Sequence, residues 1–109
     1  MMMNHEPLTE SYFYILLCLY HEPLHGYGIM QETLRLSANR VKIGSGTMYG
    51  AVSNMMKKGW LNETMTLGPE EKNKRMYEMT ADGRQVLEAE IKRLHELVDN
   101  ADKVTNATK

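Results

Sequence analysis

Apolar residues recur every three or four positions near the start of the chain, between residues 9 and 20. This spacing predicts a helix with more than one buried face. Thr9 is expected to cap its N-terminus, and Pro23 is expected to end it because proline cannot continue the hydrogen-bond ladder. The same spacing predicts a second helix over residues 26–36, with Asn39 as its stop.

A third helix is predicted further along, after a short β-branched stretch. Residues 41–43 favour a strand. Ser45 is expected to cap the helix that follows, which reaches about residue 58. Gly59 is expected to close that helix in a left-handed conformation, which glycine adopts without steric cost.

After Gly59 the pattern changes from helical to extended. Residues 60–67 predict one strand, the polar residues 68–73 a turn, and residues 74–79 the returning strand. Thr80 is then expected to cap a last helix that reaches about residue 101. Such a hairpin is marginal alone and needs a helical layer beneath it.

The order of these elements predicts a mainly α fold with a β-hairpin wing, the winged helix-turn-helix, followed by a C-terminal helix. Residues 8–79 would form the DNA-binding domain and residues 80–101 the C-terminal helix of the same unit. Residues 1–7 and 102–109 are expected to be flexible tails. In this motif the later helix of the pair enters the major groove of DNA.

Composition narrows the class of protein. The chain has 109 residues, of which 42% are hydrophobic and 25% charged, and this predicts one ordered domain. There is one cysteine, so no intrachain disulfide can form. No apolar run approaches the ~20 residues of a membrane span, and no secretory signal is recognisable. We therefore expect a cytoplasmic protein that meets no membrane.

Charge is unevenly distributed along the chain. Residues 1–32 contain four acidic residues and no lysine or arginine, whereas residues 33–60 contain five basic residues and no acidic one. A segregated positive segment in a nearly neutral protein is typical of a nucleic-acid face. Chance placement of surface charge explains the same pattern about equally well.

The predicted third helix carries the candidate DNA contacts. Ser45 and Thr47 lie at its N-terminus, where free N–H groups favour a phosphate, although plain capping explains Ser45 as well. Asn54 can pair with adenine, unless it only lies on a solvated face. Tyr49 is long enough to reach a phosphate or a base edge, or else it packs in the core against the wing. The candidates on this helix are Ser45, Thr47, Tyr49, Ser53, Asn54 and Lys57.

The sequence gives little support for a metal site, an enzyme active site or a redox-active thiol. His21 and His25 have a metal-ligand spacing, but Pro23 interrupts the helix between them and no third ligand is evident. We therefore expect no metal and no cofactor. No nucleophile–base pair or paired carboxylates come together, so an enzyme is not expected. Cys18 is expected to be an inert buried thiol rather than a redox input. A winged-helix protein-interaction module remains the alternative to a DNA-binding regulator.

The last predicted helix bears on oligomerisation. Leu87, Ile91, Leu94, Val98 and Ala101 are spaced alternately four and three apart, which is the repeat of a coiled-coil seam. Such a stripe can fold back on its own domain or pair with a second subunit. The spacing alone leaves both open.

Five motifs in order resemble the PadR family of transcriptional regulators, over about residues 8–98. Two departures stand out: Gly44-Ser45-Gly46 replaces the usual Ser-Pro-Gly turn, and Glu70 and Glu71 dilute the positive charge of the wing. The length resembles the short subgroup with a single C-terminal helix. The five motifs are His-Gly-Tyr-Gly-Ile at 25–29 after Glu-Pro-Leu at 22–24, residues 44–51, Gly-Trp-Leu at 59–61, residues 74–77 and residues 79–84.

The resemblance implies a homodimeric repressor of a pseudo-palindromic operator, with residues 80–101 as the C-terminal dimerisation helix. It implies that His25 and Tyr27 touch the DNA backbone or brace the recognition helix. In the wing, Lys72, Lys74 and Arg75 are candidate phosphate ligands, each equally explained as part of a solvated turn. The expected partners are double-stranded DNA and a second copy of the chain.

Pairing of the subunits would bring the last helix against the first helix of the partner. Some short members bind a flat aromatic effector in this interface on a tryptophan. Leu94 stands at that position here, and the only tryptophan, Trp60, is expected at the wing base. An effector would therefore lack the stacking ring, but Tyr12, Phe13, Met30 and the helix seam could still line an apolar cavity for it. The expected interface residues are Tyr12, Leu16, Leu87, Ile91, Leu94 and Val98.

Overall fold

The computed structural model describes residues 6–66 and 74–106, with side chains at all of them except 65, 66 and 74. The predicted mainly α fold with a small antiparallel sheet is confirmed. In chain order the elements are α1 (Glu10–Cys18), β1 (Leu24–His25), α2 (Gly26–Leu36), α3 (Ser45–Lys57), β2 (Leu61–Thr66), β3 (Lys74–Met79) and α4 (Ala81–Thr105).

Local side-chain hydrogen bonds fix two of the helix starts. The Thr9 hydroxyl accepts from the Tyr12 N–H at 3.1 Å, and the Thr80 hydroxyl accepts from the Gly83 N–H at 3.0 Å. Both predicted caps are therefore confirmed. The prediction for Ser45 was wrong, because Gly44 takes the extended N-cap conformation without a side-chain cap and Ser45 is the first residue of α3.

Helix ends are decided by local backbone hydrogen bonds. α1 ends at Cys18, well before Pro23, because the Leu19 N–H bonds back to Leu16 O at 3.1 Å in a tighter turn. At the other end of the chain, α4 continues to Thr105. The predicted flexible tail was thus wrong for residues 102–105, which are helical.

The sheet has strand order β1-β3-β2 and is antiparallel throughout. Besides the two strands of the wing, the sheet contains β1, Leu24–His25, which pairs with Tyr77 and Met76 of β3. The strand predicted at residues 41–43 was wrong. That segment instead stays near the end of α2, where the Val41 N–H donates to Ser37 Oγ at 2.9 Å.

The core lies where α1 meets the other three helices. Ile15 and Leu16 of α1, Ile29 of α2, Met48 of α3 and Leu87 of α4 are each fully buried in it. Removal of this apolar surface from water is the main term that holds the helices together. Tyr77 of β3 joins the same cluster and ties the wing to it.

Two residues expected at the dimer interface belong to this core. Leu16 and Leu87 are both 0% exposed within a single subunit, so neither has surface left for a partner. Their place in the predicted interface is corrected accordingly. The physical reason is that the first half of α4 folds back on α1 of its own chain.

The wing and α4 join in a tightly packed corner. Gly59 has a φ of 81°, as predicted for a left-handed cap. The Thr80 N–H donates to Trp60 O at 3.0 Å, and the Thr80 hydroxyl donates to Gly59 O at 2.6 Å. A Cβ on Gly83 would lie only 2.2 Å from Trp60 O. The first turn of α4 therefore rests directly on the backbone at the wing base.

We predict that Gly83→Ala lowers the free energy of unfolding by about 2 kcal/mol, because the added methyl group collides with backbone and outweighs the better helix propensity of alanine. Urea denaturation monitored by circular dichroism measures this difference. Gln85→Ala, at an exposed position of the same helix, is the control and should change stability by less than about 0.5 kcal/mol. Equal stability of the two variants would contradict the prediction.

Candidate nucleic-acid interface

α3 has one buried and one exposed side. Its apolar residues, at 48, 51, 52 and 55, are buried in the core. At about 100° per residue, the residues on the opposite side follow one another along a line parallel to the helix axis. We call this line the outer strip of α3. It consists of Gly46, Gly50, Ser53 and Lys57, all of them exposed.

The two glycines of the outer strip have open space around them. A Cβ built on Gly46 or Gly50 would meet no heavy atom of the described residues within 4 Å. A glycine inside a helix is less stable than alanine by roughly 0.5–1 kcal/mol. Packing within the described subunit gives no reason for this cost at Gly50. The strip is consequently flat at its N-terminal half, where another molecule can approach the backbone closely.

Tyr49 lies on one flank of the outer strip and leans on the start of α2. A Cβ on Gly26 would lie 2.7 Å from Tyr49 Oη and 2.6 Å from Met48 Cε, so a larger residue there would displace the ends of both side chains. Tyr49 is nevertheless 48% exposed. It packs against α2 and still presents part of its ring to the outside.

The first turn of α2 brings three predicted residues together. His25 occupies the N-cap position without a side-chain cap bond, and its ring centroid lies 6.4 Å from that of Tyr27. Tyr27 is 59% exposed and accepts a hydrogen bond from Gln31 Nε2 at 3.0 Å. With Tyr49 beside them, these rings surround a helix N-terminus, which is electrically suited to an anion.

Asn54 lies on the other flank of the outer strip and has a partner within the subunit. Its Nδ2 donates to Tyr12 Oη of α1 at 2.8 Å. Sequence reasoning had placed these two residues in different sites, one against a base and one against a partner subunit. No periodicity in the sequence signals this contact, because 42 residues separate the two positions.

The positive segment is partly neutralised. Arg35 forms an ion pair with Glu32, and Arg40 forms one with a glutamate of α1. Hydrogen bonding to these carboxylates raises the pKa of both arginines. Among the described residues, Lys42 and Lys57 have no carboxylate at ion-pair distance. The unpaired positive charge is thus smaller than the sequence indicated, and Lys57 lies on the outer strip.

In the wing, Arg75 of β3 forms an ion pair with Glu63 of β2 at 2.9 Å. Its side chain is still 65% exposed, so it can exchange this partner for a phosphate. Lys74 is the first residue of β3. Its side chain, and Lys72 altogether, lie outside the described residues.

An apolar face runs along the second half of α4. Ile91 is half-buried, while Leu94 and Val98 are 36% and 57% exposed. Together with Phe13 of α1 they line a shallow cavity of about 250 Å³. Leu97 and Val104, which do not fit the 3.5-residue repeat, extend the exposed apolar surface and were missed by sequence reasoning.

A buried ion pair lies beside this apolar face. Glu90 is 2% exposed, and both of its oxygens accept from Arg93 at 2.8 Å. One oxygen also accepts from the Leu8 N–H at 3.1 Å, which ties the segment before α1 to α4. Sequence reasoning did not single out this pair of charges. Their i,i+3 spacing was the signal that they pair.

Burial explains why the Cys18 thiol is not a reactive site. Cys18 is buried, its thiol lies 3.5 Å from Thr33 Oγ1, and burial raises its pKa, so the reactive thiolate is scarce. The described residues contain no cluster of histidine, cysteine or carboxylate groups arranged for a metal. No helix in the described ranges is long and apolar enough to cross a membrane. Trp60 is half-buried at the wing base.

Solved structures share this architecture. A transcriptional regulator from Clostridium thermocellum is 24% identical, with a TM-score of 0.66 over 88% of this chain and 89% of that one. A PadR family transcription regulator from Clostridium difficile is 19% identical, with a TM-score of 0.72 over 89% and 98%. Bacillus subtilis PadR in complex with operator DNA is 22% identical, with a TM-score of 0.66 over 76% of this chain and 47% of that one. These likenesses confirm the predicted winged helix-turn-helix fold.

No curated protein matches this chain. The family model of the transcriptional regulator PadR-like family, however, matches residues 15–89. This stretch contains α2, α3 and the wing, the elements that carry the candidate interface. It also confirms the prediction that the protein is a regulator and not an enzyme. The chain therefore belongs to the PadR-like family of transcriptional regulators.

Proposed function

We propose that this protein is a homodimeric, sequence-specific repressor that binds a pseudo-palindromic operator through the outer strip of α3. The observation that carries the proposal is the exposed glycine pair, Gly46 and Gly50, which the subunit itself gives no reason to keep. The operator complex of Bacillus subtilis PadR, whose fold is similar, supports it. Such a regulator would act in the cytoplasm, where the chromosome lies.

The dimensions of α3 and the flatness of its outer strip suit the major groove of DNA. That groove is about 12 Å wide, close to the diameter of a helix with its side chains. Gly46 and Gly50 would let the α3 backbone sink toward the base edges, and Ser53 and Lys57 would follow along the groove. Ser45 and Thr47, exposed in the first turn, would meet a phosphate there.

The flanks would then position α3 on the duplex. His25, Tyr27 and Tyr49 surround the start of α2, and a backbone phosphate at that point would be favoured by the helix dipole. The wing would lie along the adjacent backbone, with Arg75 as a phosphate ligand. We propose the same role for Lys72 and Lys74.

We predict that Gly50→Ala raises the stability of the free protein by about 0.5–1 kcal/mol, because alanine is the better helix former and its Cβ meets nothing. Affinity for operator DNA should nevertheless fall about tenfold or more, because the methyl group would hold α3 away from the base edges. Thermal unfolding and fluorescence anisotropy measure the two effects. Unchanged or tighter DNA binding would argue against close approach at Gly50.

We predict that Lys57→Glu weakens binding to operator and random DNA alike and lowers the salt slope, since one phosphate contact would be lost. Anisotropy titrations at several salt concentrations measure both quantities. Lys92→Glu, an exposed position on α4, makes the same change in net charge and is the control. Equal losses for the two substitutions would mean that only net charge matters. No effect of Lys57→Glu on DNA binding would favour the alternative, a winged-helix module that binds protein.

Dimerisation is proposed from the apolar face of α4. Exposed leucine and valine side chains continue along the helix beyond its contact with α1, and contiguous patches of this kind mark interfaces. We propose that Ile91, Leu94 and Val98 pack against the partner. Tyr12, which was also expected at this interface, is instead bonded through its hydroxyl to Asn54 of its own subunit. A two-fold dimer would present two copies of α3 to half-sites about 10 bp apart.

We predict that Val98→Glu converts the dimer to a monomer and abolishes tight operator binding, because a charge would be buried without a partner in the interface. Ala89→Glu, which lies on the opposite side of α4, should remain dimeric and is the control. Sedimentation equilibrium measures the mass of each. A wild-type chain that is monomeric at all concentrations would refute the proposed assembly.

An effector is proposed for the same region. Phe13, Leu94 and Val98 line an apolar cavity to which a flat aromatic molecule could bind between two subunits. Leu94 offers no ring for stacking, so such a molecule would be held by shape and apolar contact. Its binding would change how the two copies of α3 are spaced and so release the operator.

A further inference from the structure

The side chain of Asn54 links α1 to the proposed DNA-binding surface of α3. Asn54 is exposed on the flank of α3 that faces α1, and its Nδ2 donates to Tyr12 Oη at 2.8 Å. Tyr12 itself is half-buried and packs against the core cluster. The tyrosine is thus a fixed support, and the asparagine is the more exposed member of the pair.

The chemistry of the amide shows what this hydrogen bond leaves free. A side-chain amide has two N–H donors and one carbonyl oxygen. Tyr12 Oη takes one N–H, so the second N–H and the Oδ1 of Asn54 remain. These two groups are the pair that an asparagine uses to recognise adenine at its N6 and N7 atoms. The bond to Tyr12 also sets which way that pair points.

We propose that Tyr12 is a positioning residue for sequence discrimination, because its hydroxyl holds the Asn54 amide in one orientation at the edge of the outer strip of α3. The proposal rests on the proposed DNA-binding function. Without the hydroxyl, the Asn54 side chain would sample several rotamers, and ordering it against a base would cost side-chain entropy. The loss would fall on the choice between base pairs, since the contacts to phosphates are made by other residues.

The same hydrogen bond links α1 with the reading surface. The residues that follow Tyr12, Phe13 and Tyr14, line a cavity of about 300 Å³ between α1 and α4, together with Leu94. α1 therefore contacts the α4 face on one side and Asn54 on another. The orientation of the Asn54 amide is consequently set by how α1 packs, before any DNA arrives.

A double-mutant cycle tests the proposal. An operator is first selected from a random-sequence pool with the wild-type protein, and each of its base pairs is then changed in turn. Tyr12→Phe, Asn54→Ala and the double variant are titrated against this set by fluorescence anisotropy. Tyr14→Phe, which removes the hydroxyl of a neighbouring tyrosine on α1, is the matched control.

We expect Tyr12→Phe to reduce discrimination about fivefold or more, at the same base pairs where Asn54→Ala reduces it. In the Asn54→Ala background, Tyr12→Phe should have no further effect on discrimination, since the two residues act as one unit. Affinity for random DNA, the salt slope and the thermal unfolding temperature should stay at wild-type values. A residue with a purely structural role would change those three quantities instead.

Three results would overturn the inference while leaving the proposed function intact. The first is wild-type discrimination by Tyr12→Phe, and the second is additive losses in the double variant. The third is an equal loss for Tyr14→Phe, which would assign the effect to α1 in general. If the wild-type protein selects no preferred sequence from the pool, the proposed function itself fails, and the inference fails with it.

Discussion

The burial of α1 between the other three helices is the constraint on which the rest of this structure depends. Ile15 and Leu16 have no exposed surface, and the neighbours that cover them come from α2, α3 and α4. Because interiors are close-packed, the position of α1 fixes the angle at which α3 leaves the core. The surface that α3 presents is therefore a consequence of packing on its opposite side.

The exposed surface of α3 combines the outer strip, in its centre, with flanks on which neighbouring helices hold the side chains in place. Within the part of the chain that the structure describes, nothing packs against Gly46 and Gly50 of the outer strip, whereas Tyr49 rests on α2 and Asn54 is bonded to α1. A flat line between fixed side chains is a preorganised arrangement, which lowers the entropy lost on binding. The ion pairs of the arginines limit the free positive charge, so shape complements electrostatics in the proposed mode of binding.

The first half of α4 packs in the core of its own subunit, and its second half presents an exposed apolar face. Leu87 is buried against the core, and Val98, eleven residues later, is mostly exposed. Between them the buried Glu90 binds Arg93 and the backbone of Leu8, which anchors α4 where it leaves the core. One continuous 3.5-residue repeat thus covers two environments, which is why Leu87 was predicted at a dimer interface and is found in the core.

The sequence alone determined the order of the four helices and the hairpin, the caps at Thr9 and Thr80 and the left-handed Gly59, because these features depend on residues near in the chain. It also indicated the exposed face of α3 through helical periodicity. Only the tertiary structure decided the third strand at Leu24–His25 and the bond between Tyr12 and Asn54. Both require segments far apart in sequence to meet, and that meeting is governed by how the helices fill the core, which local pattern does not encode.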